Sequence, residues 1–412
     1  MPVVKNMSRK TITWTAIIIL IILGLLAWWF FSRESSAVPA SQPTQSTQNL
    51  FPYGANGTST PAATNTGGQG TVVLGGSAAP LPALVQITTT PVSGMTFLPE
   101  AASSSSATLR YIDRATGHIY DYSFDTGTST EVTNTTVPKV YEGLFSSNGT
   151  RVFLRTLGAS NQIETMSAAV NATGTGPVAL GSIAFLPTNI SSLDLNGSSL
   201  FYLVSVSSGS LGYESALDGT KPAQVFNSAL GELVARYQGN VTLLTKPSAS
   251  ANGYFFDLNT KTGGLTPILQ NISGLTALEN SAGTFVFGSV SNNGAVQSFV
   301  YNEKTGSAQT VPLATIADKC VWSKTNSNSV YCAVPAYITG TLPDDWYQGN
   351  VFLPDDNIWK IAADTGVTNV VDFLSQRNPN IDAENLTLDG KENWLSFMNK
   401  EDLTLWALRI SE

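Results

Sequence analysis

Apolar and polar residues follow three patterns along this 412-residue chain, and each predicts a different kind of element. Residues 12–31 form a run of 20 without a charge. At about 1.5 Å per residue, a helix of that length crosses a hydrocarbon layer about 30 Å thick. Trp14 near one end and Trp28, Trp29, Phe30 and Phe31 at the other stand where a spanning helix meets the headgroups. Lys5, Arg9 and Lys10 precede the run and only Arg33 follows closely. The positive-inside bias therefore predicts a cytoplasmic segment 1–10, a single transmembrane helix 11–32 and a body carried across a cell (inner) membrane. A cleaved signal peptide competes with this reading, but the apolar run exceeds the usual h-region of about 7–15 residues.

The second pattern has no periodicity. Residues 35–80 carry no charge and are dominated by Ser, Thr, Pro, Gln, Gly, Ala and Asn, too polar and too simple to bury a core. Segment 33–80 is thus expected to be a disordered stalk, whose root-mean-square span is about 35–40 Å if it behaves as a flexible chain.

From residue 81 onward, short apolar strands alternate with turn signals. In residues 144–154 an apolar strand meets Asn148-Gly149 and returns as Arg151-Val152-Phe153-Leu154; both turn residues tolerate positive φ. Related hairpins recur around Asn196-Gly197, Ala282-Gly283, residues 326–328 and Asp389-Gly390. A second hairpin follows each, around Asp125-Thr126-Gly127, Asp218-Gly219, Lys261-Thr262-Gly263, Lys304-Thr305-Gly306 and Asp364-Thr365-Gly366. Two hairpins in tandem make a four-stranded antiparallel unit. First strands starting at Val92, Lys139, Ile190, Leu230, Ser273, Asp318 and Ile381 are spaced by 47, 51, 40, 43, 45 and 63 residues. Five of these spacings suit propeller blades of about 40–50 residues, so a seven-bladed β-propeller over 81–412 is expected, with six or eight blades as alternatives. The seventh unit runs out after three strands, and residues 83–88 supply a closing strand that removes the open sheet edge.

Units such as Phe145-Ser146-Ser147-Asn148-Gly149-Thr150-Arg151-Val152, followed by a Tyr-x-x-x-Leu/Phe-Asp-x-x-x-Gly segment, resemble the TolB-type and WD-related propeller repeats of bacterial envelope proteins. The resemblance spans about residues 83–410 and departs from the pattern in the fourth unit, where Arg236-Tyr237-Gln238-Gly239 replaces the expected turn. It implies an architecture and, through it, a binding role rather than a chemistry.

Composition supports an all-β body: only 12% of residues are charged, and turn formers abound. After residue 34 the chain holds 17 bases and 28 acids, a net charge of −11 that repels phosphate backbones and argues against nucleic-acid binding. His118 is the only histidine, so any Ser-His-Asp triad, Cys-His pair or multi-histidine metal site must use it or be absent. Its place after Thr116-Gly117 suits a half-exposed strand end. No phosphate loop, nucleophile elbow or dinucleotide fingerprint occurs, and neither an enzyme nor a nucleotide or other organic cofactor is expected. A carbohydrate-active propeller enzyme needs only two carboxylates and stands as the alternative, as does a structural subunit of an envelope complex. The enzyme requires a buried acid pair with a raised pKa in the channel or a cleft, whereas a binding module predicts none.

Two features remain. Cys320 and Cys332 flank a short loop that sets them opposite each other, so an extracytoplasmic disulfide is expected. Residues 335–357 form the longest insertion, with Asp344, Asp345, Trp346, Tyr347, Asp355 and Asp356 as candidate binding residues. Aromatics beside paired carboxylates suit a protein hot spot, an envelope glycan platform or a Ca²⁺ site; ordinary turn chemistry and packing over the blade are the plainer alternative. The insertion links a second strand to a third, on the face where blades connect to one another, so this face is expected to bind the partner.

Overall fold

The computed structural model describes residues 81–100, 106–172, 176–292, 294–378 and 380–411. The expected cytoplasmic segment, transmembrane helix and stalk lie outside the described residues. Among the described residues, no helix is long and apolar enough to cross a membrane.

Seven four-stranded antiparallel sheets form in chain order, each with its first strand innermost. The first strands are Val92–Phe97, Glu142–Phe145, Ile190–Asn196, Leu233–Tyr237, Thr276–Glu279, Cys320–Trp322 and Ala383–Leu388, and the sheets are numbered blades 1 to 7 accordingly. Blade 7 takes its outermost strand from the other end of the domain: Leu84–Gln86 pairs with Leu405–Arg409 in the register Leu84↔Leu408, Val85↔Ala407 and Gln86↔Trp406. The domain is a seven-bladed β-propeller whose ring is closed by this N-terminal strand. Antiparallel alternation fixes two faces. Links from second to third strands and links between blades emerge on one face, the link face; the tight turns inside each hairpin emerge on the other.

Turn chemistry is local. At Asn148-Gly149, the Asn148 side chain accepts from the Ser146 hydroxyl at 2.8 Å and from the Thr150 N–H at 3.2 Å, while Gly149 takes φ 68°. Packing is between blades. Seven apolar clusters fill the seven interfaces, from Phe153–Leu193–Tyr202 between blades 2 and 3 to Phe124–Trp394–Leu405 where blade 7 meets blade 1. Each sheet therefore buries both faces, and no blade can fold its core alone.

An eighth cluster belongs to the insertion. Leu342, Trp346 and Leu353 are buried against Ile316, with Val296 of blade 5 beside them. Below them lies an ionic group without access to solvent: the Lys319 ammonium meets Asp356 Oδ2 at 2.8 Å, bonds Asp382 Oδ1 and donates to the Ala383 carbonyl at 3.1 Å. Asp382 also accepts the Trp346 indole N–H at 3.0 Å and the Leu353 N–H at 2.8 Å. The insertion is thus fixed to blades 6 and 7 by its own interior.

Candidate functional site at the channel mouth

The inner strands of all seven blades surround a central cavity of about 1090 Å³. Part of its charged lining comes from first strands, Glu142 of blade 2, Asp194 of blade 3, Arg236 of blade 4 and Asp318, just ahead of the blade 6 strand; Lys246 of blade 4 and Lys324 and Asp344 of blade 6 complete it from turns and links. Asp194 Oδ1 accepts the Leu195 N–H and Oδ2 the Tyr237 N–H, each at 2.8 Å. It thereby caps part of the free inner edge of the neighbouring blade, as Ser192 does for the Ala235 N–H at 3.0 Å. Burial pushes Asp194 up, while Arg236 and these N–H groups pull the other way. Arg236 crosses from blade 4 past blade 5 toward Asp318, its Nη2 3.6 Å from Asp318 Oδ1. Glu142 is bonded by Arg155, which also donates to the Ile190 carbonyl.

The insertion leans over this cavity. Its short helix, Asp344–Tyr347, reaches past blade 5, and Asp344 Oδ2 accepts the Ala249 N–H of blade 4 at 2.6 Å. Tyr347 keeps 40% of its surface, but that surface faces the channel, which it lines, and its hydroxyl donates to Asp318 Oδ2. Burial first, and Asp318 second, push the Tyr347 phenol well above its ordinary value.

The six insertion residues read from the sequence therefore do not form one surface. Trp346 is 3% exposed and Asp356 fully buried, so both belong to the support beneath the insertion; their side chains are sequestered because Lys319 and Asp382 need partners away from water. Asp345 accepts the Thr341 N–H at 2.7 Å and the Asn350 amide at 3.2 Å, a local turn that holds its carboxyl below the ordinary range. Asp355 occupies a left-handed turn position at φ 62°. Only Asp344 and Tyr347 line the channel. Four aspartates so dispersed do not form the Ca²⁺ site considered above, and among the described residues no group of three His, Cys, Asp or Glu could hold a metal ion. Cys320 and Cys332 are joined as a cross-strand disulfide with Cα atoms 4.1 Å apart, and Cys320 lines the channel wall.

Two other groupings bear on catalysis. His118 Nδ1 lies 2.8 Å from Glu131 Oε1 and Nε2 lies 3.0 Å from Thr136 Oγ1. Thr136 is exposed on the loop after blade 1, and the adjacent Val137 N–H is spent on the Thr116 carbonyl, so this chain of bonds orders the loop. Glu279 is 7% exposed and pushed up to about 8, chiefly by burial and then by its hydrogen bond with Glu303, with Asp257 of blade 4 nearby. A buried acid pair with a raised pKa is thus present, contrary to the simple expectation for a binding module, but neither Glu279 nor Glu303 lines the channel. Sequence reasoning passed over Glu142, Asp194, Arg236 and Asp318; the available signal was a charge placed in or beside a first strand that is otherwise apolar or small.

No protein-family model and no curated protein sequence matches the chain. Solved structures do match in fold. An oligogalacturonate lyase from Vibrio parahaemolyticus is 8% identical and superposes with a TM-score of 0.51 over 80% of this chain and 94% of that one. The β-propeller domain of the Trilobed protease from Pyrococcus furiosus is 9% identical, with a TM-score of 0.48 over 77% of this chain and 98% of that one. TolB from Acinetobacter baumannii is 11% identical, with a TM-score of 0.41 over 67% of this chain and 63% of that one. At 8% identity the likeness to the lyase is one of fold alone.

Proposed function

We propose that this protein is a membrane-anchored, extracytoplasmic binding module that docks a protein partner on its link face. The distribution of exposed apolar side chains carries the reading. Among the described residues, 11 large hydrophobic side chains are exposed. Eight of them lie at the link face: Leu157, Phe185 and Val206 at strand ends, Leu230 and Phe373 in links between blades, and Tyr337, Tyr347 and Phe352 in the insertion. Val367 alone stands in a turn of the opposite face, and Ile183 and Val370 sit on outer strands. Apolar exposure biased to one face of a rigid scaffold is the usual mark of an interaction surface. The anchor and the outward orientation rest on the uncharged run 12–31 and the basic residues before it.

Photo-crosslinking residues placed singly at Tyr337, Phe352, Phe373 and Val367 of the full-length chain, in intact cells, test the docking face. Adducts from the first three positions and none from Val367 are expected. Adducts only from Val367, or equally from all four, would place docking elsewhere. External protease acting on cells stripped of outer layers should remove the propeller; a protected propeller would invert the orientation.

A further inference from the structure

We infer that Lys319 and Asp356 condense to an intramolecular amide, an isopeptide bond that the chain makes by itself, with Asp382 relaying the protons. The inference goes beyond the docking reading and does not depend on it. Three observations converge on it.

The first is position. Lys319 Nζ lies 2.8 Å from Asp356 Oδ2 and also bonds Asp382. A carboxyl C–O bond is about 1.2 Å long, so the amine nitrogen stands at most about 4 Å from Asp356 Cγ. Both ends are fixed by the fold. Lys319 closes the 3₁₀ turn Ala317–Lys319 ahead of the first strand of blade 6, and Asp356 directly precedes the third strand, Asn357–Ala362. Folding has therefore already met the entropic cost of bringing nucleophile and acyl carbon together.

The second is environment. The Lys319 and Asp356 side chains are fully buried and Asp382 is 1% exposed, under the buried Trp346, whose ring centroid lies 5.8 Å from Nζ. In water, ammonium and carboxylate ions resist condensation because hydration stabilises both. Here that hydration is gone, which favours the neutral amine, the neutral acid and the amide over the ions. Burial opposes the Lys319 charge, although Asp356 and Asp382 more than offset it at rest. The same burial keeps hydrolytic water from the product.

The third is the unequal setting of the two carboxyls. Asp356 Oδ2 accepts the Ala383 N–H at 2.6 Å, while Oδ1 has no partner among the described residues. Burial pushes this carboxyl up to about 7, so a neutral form with its proton on Oδ1 is populated near neutral pH. Asp382 is instead held as an acceptor, by the Trp346 indole at 3.0 Å and the Leu353 N–H at 2.8 Å. Asp356 is thus placed to lose an oxygen and Asp382 to carry protons. Asp382 takes a proton from the ammonium, and the freed electron pair attacks Asp356 Cγ while the Ala383 N–H steadies the oxyanion on Oδ2. Asp382 passes that proton to the Oδ1 hydroxyl, which leaves as water when the C–Oδ1 bond breaks, and then takes the second proton from nitrogen. One C–N bond replaces one C–O bond, and the products are an amide, one water and a neutral Asp382, so no ion remains buried.

Mass spectrometry of the full-length chain, denatured, reduced and digested with trypsin, tests this. The expected product is a branched peptide joining residues 305–324 to 325–360 through Lys319 and Asp356, one water lighter than its parts and uncut after Lys319. Lys319→Met and Asp382→Asn should each release the two peptides separately. Separate peptides from the wild-type chain, cut after Lys319, overturn the proposal. So does a bond from Lys319 to residues 378–391, which would make Asp382 the acyl partner. The wild-type digest decides even where a variant fails to fold, and a branched peptide from a folded Asp382→Asn chain would overturn the relay.

Discussion

Two blade interfaces in the same ring are held by different means. Between blades 1 and 2 the inner strands touch through glycines: a Cβ on Gly94 would fall 1.9 Å from the Gly143 carbonyl oxygen, and one on Gly143 would fall 2.3 Å from Ile112 Cδ1. Around them the interface is largely apolar, from Ile112 and Ile119 to Val152 and Leu154, with the buried Arg110 of blade 1 donating across it to the Gly149 carbonyl of blade 2 at 2.7 Å. Between blades 6 and 7 the apolar cluster around Ile381 and Phe397 is accompanied by a fully buried lysine bonded to two aspartates. Close glycine contact dominates the first interface, where Arg110 is paired with Asp121 of its own blade. Charge specifies part of the second, because it must also seat an insertion that no other blade has. An apolar floor would have held that insertion in many registers, whereas Asp382 accepts from Trp346, Leu353 and Lys319 at once and permits one.

The comparison breaks most sharply at Lys319. Lys319→Met leaves Asp356 and Asp382 buried without their cation and should cost about 3–5 kcal/mol in urea denaturation. Apolar replacement of all three residues should not restore that stability, because the Ala383 and Leu353 N–H groups would lose their acceptors. Stability close to wild type in the single variant would make the ionic group incidental. Next in size is the disulfide beside it: opening the bond between residues 12 apart by Cys320→Ser with Cys332→Ser should cost about 3 kcal/mol in the chain-entropy model, read from the same denaturation midpoints.

At the glycine interface the effect should be smaller. Gly94→Ala forces the inner strands apart and should cost about 1–3 kcal/mol, read from the same denaturation midpoints. A loss larger than that of Lys319→Met would reverse the ranking of the two interfaces.

A different kind of effect, a pH dependence, is expected at a third interface, between blades 4 and 5. Burial and Glu303 raise the folded-state pKa of Glu279 from 4.5 to about 8, so the folded protein holds this proton more tightly than the unfolded chain does. Its contribution is fully present below about pH 4.5 and is lost as pH climbs through about 8. Thermal melts across that window should show stability falling toward alkaline pH, with a shallower slope in Glu279→Gln. A slope unchanged by the substitution would assign the effect to other groups.

How legible each feature was depended on how local its cause is. The first strands begin at Val92 and Ile190 as read from the sequence, and elsewhere two or three residues later, at Glu142, Leu233, Thr276, Cys320 and Ala383. The offset arises because the chain turns immediately ahead of these strands, with Lys139, Glu232 and Gly274 at positive φ and Ala317–Lys319 in a 3₁₀ turn, where the sequence pattern reads as continuous strand. Residues 83–88 were recognisable as a closing strand because blade 7 lacked one, and Leu84–Gln86 takes that place. The insertion's position was also readable, but the direction of its side chains was not. Trp346 and Asp356 look like a surface hot spot in one dimension, because their partners Asp382 and Lys319 lie 36 and 37 residues away.

By itself, then, the sequence determined what depends on neighbours along the chain: strand periodicity, the positive-φ turns at Asn-Gly and Thr-Gly, the spacing of blades, and the strand left over for closure. Only the tertiary structure decided which charges meet. Arg236 and Asp318 come from blades 4 and 6, Asp344 and Ala249 from blades 6 and 4, and Asp194 faces Tyr237 across a blade boundary. A closed ring brings first strands from all over the chain to one axis, and a charge on a first strand carries no local mark of which blade will face it there.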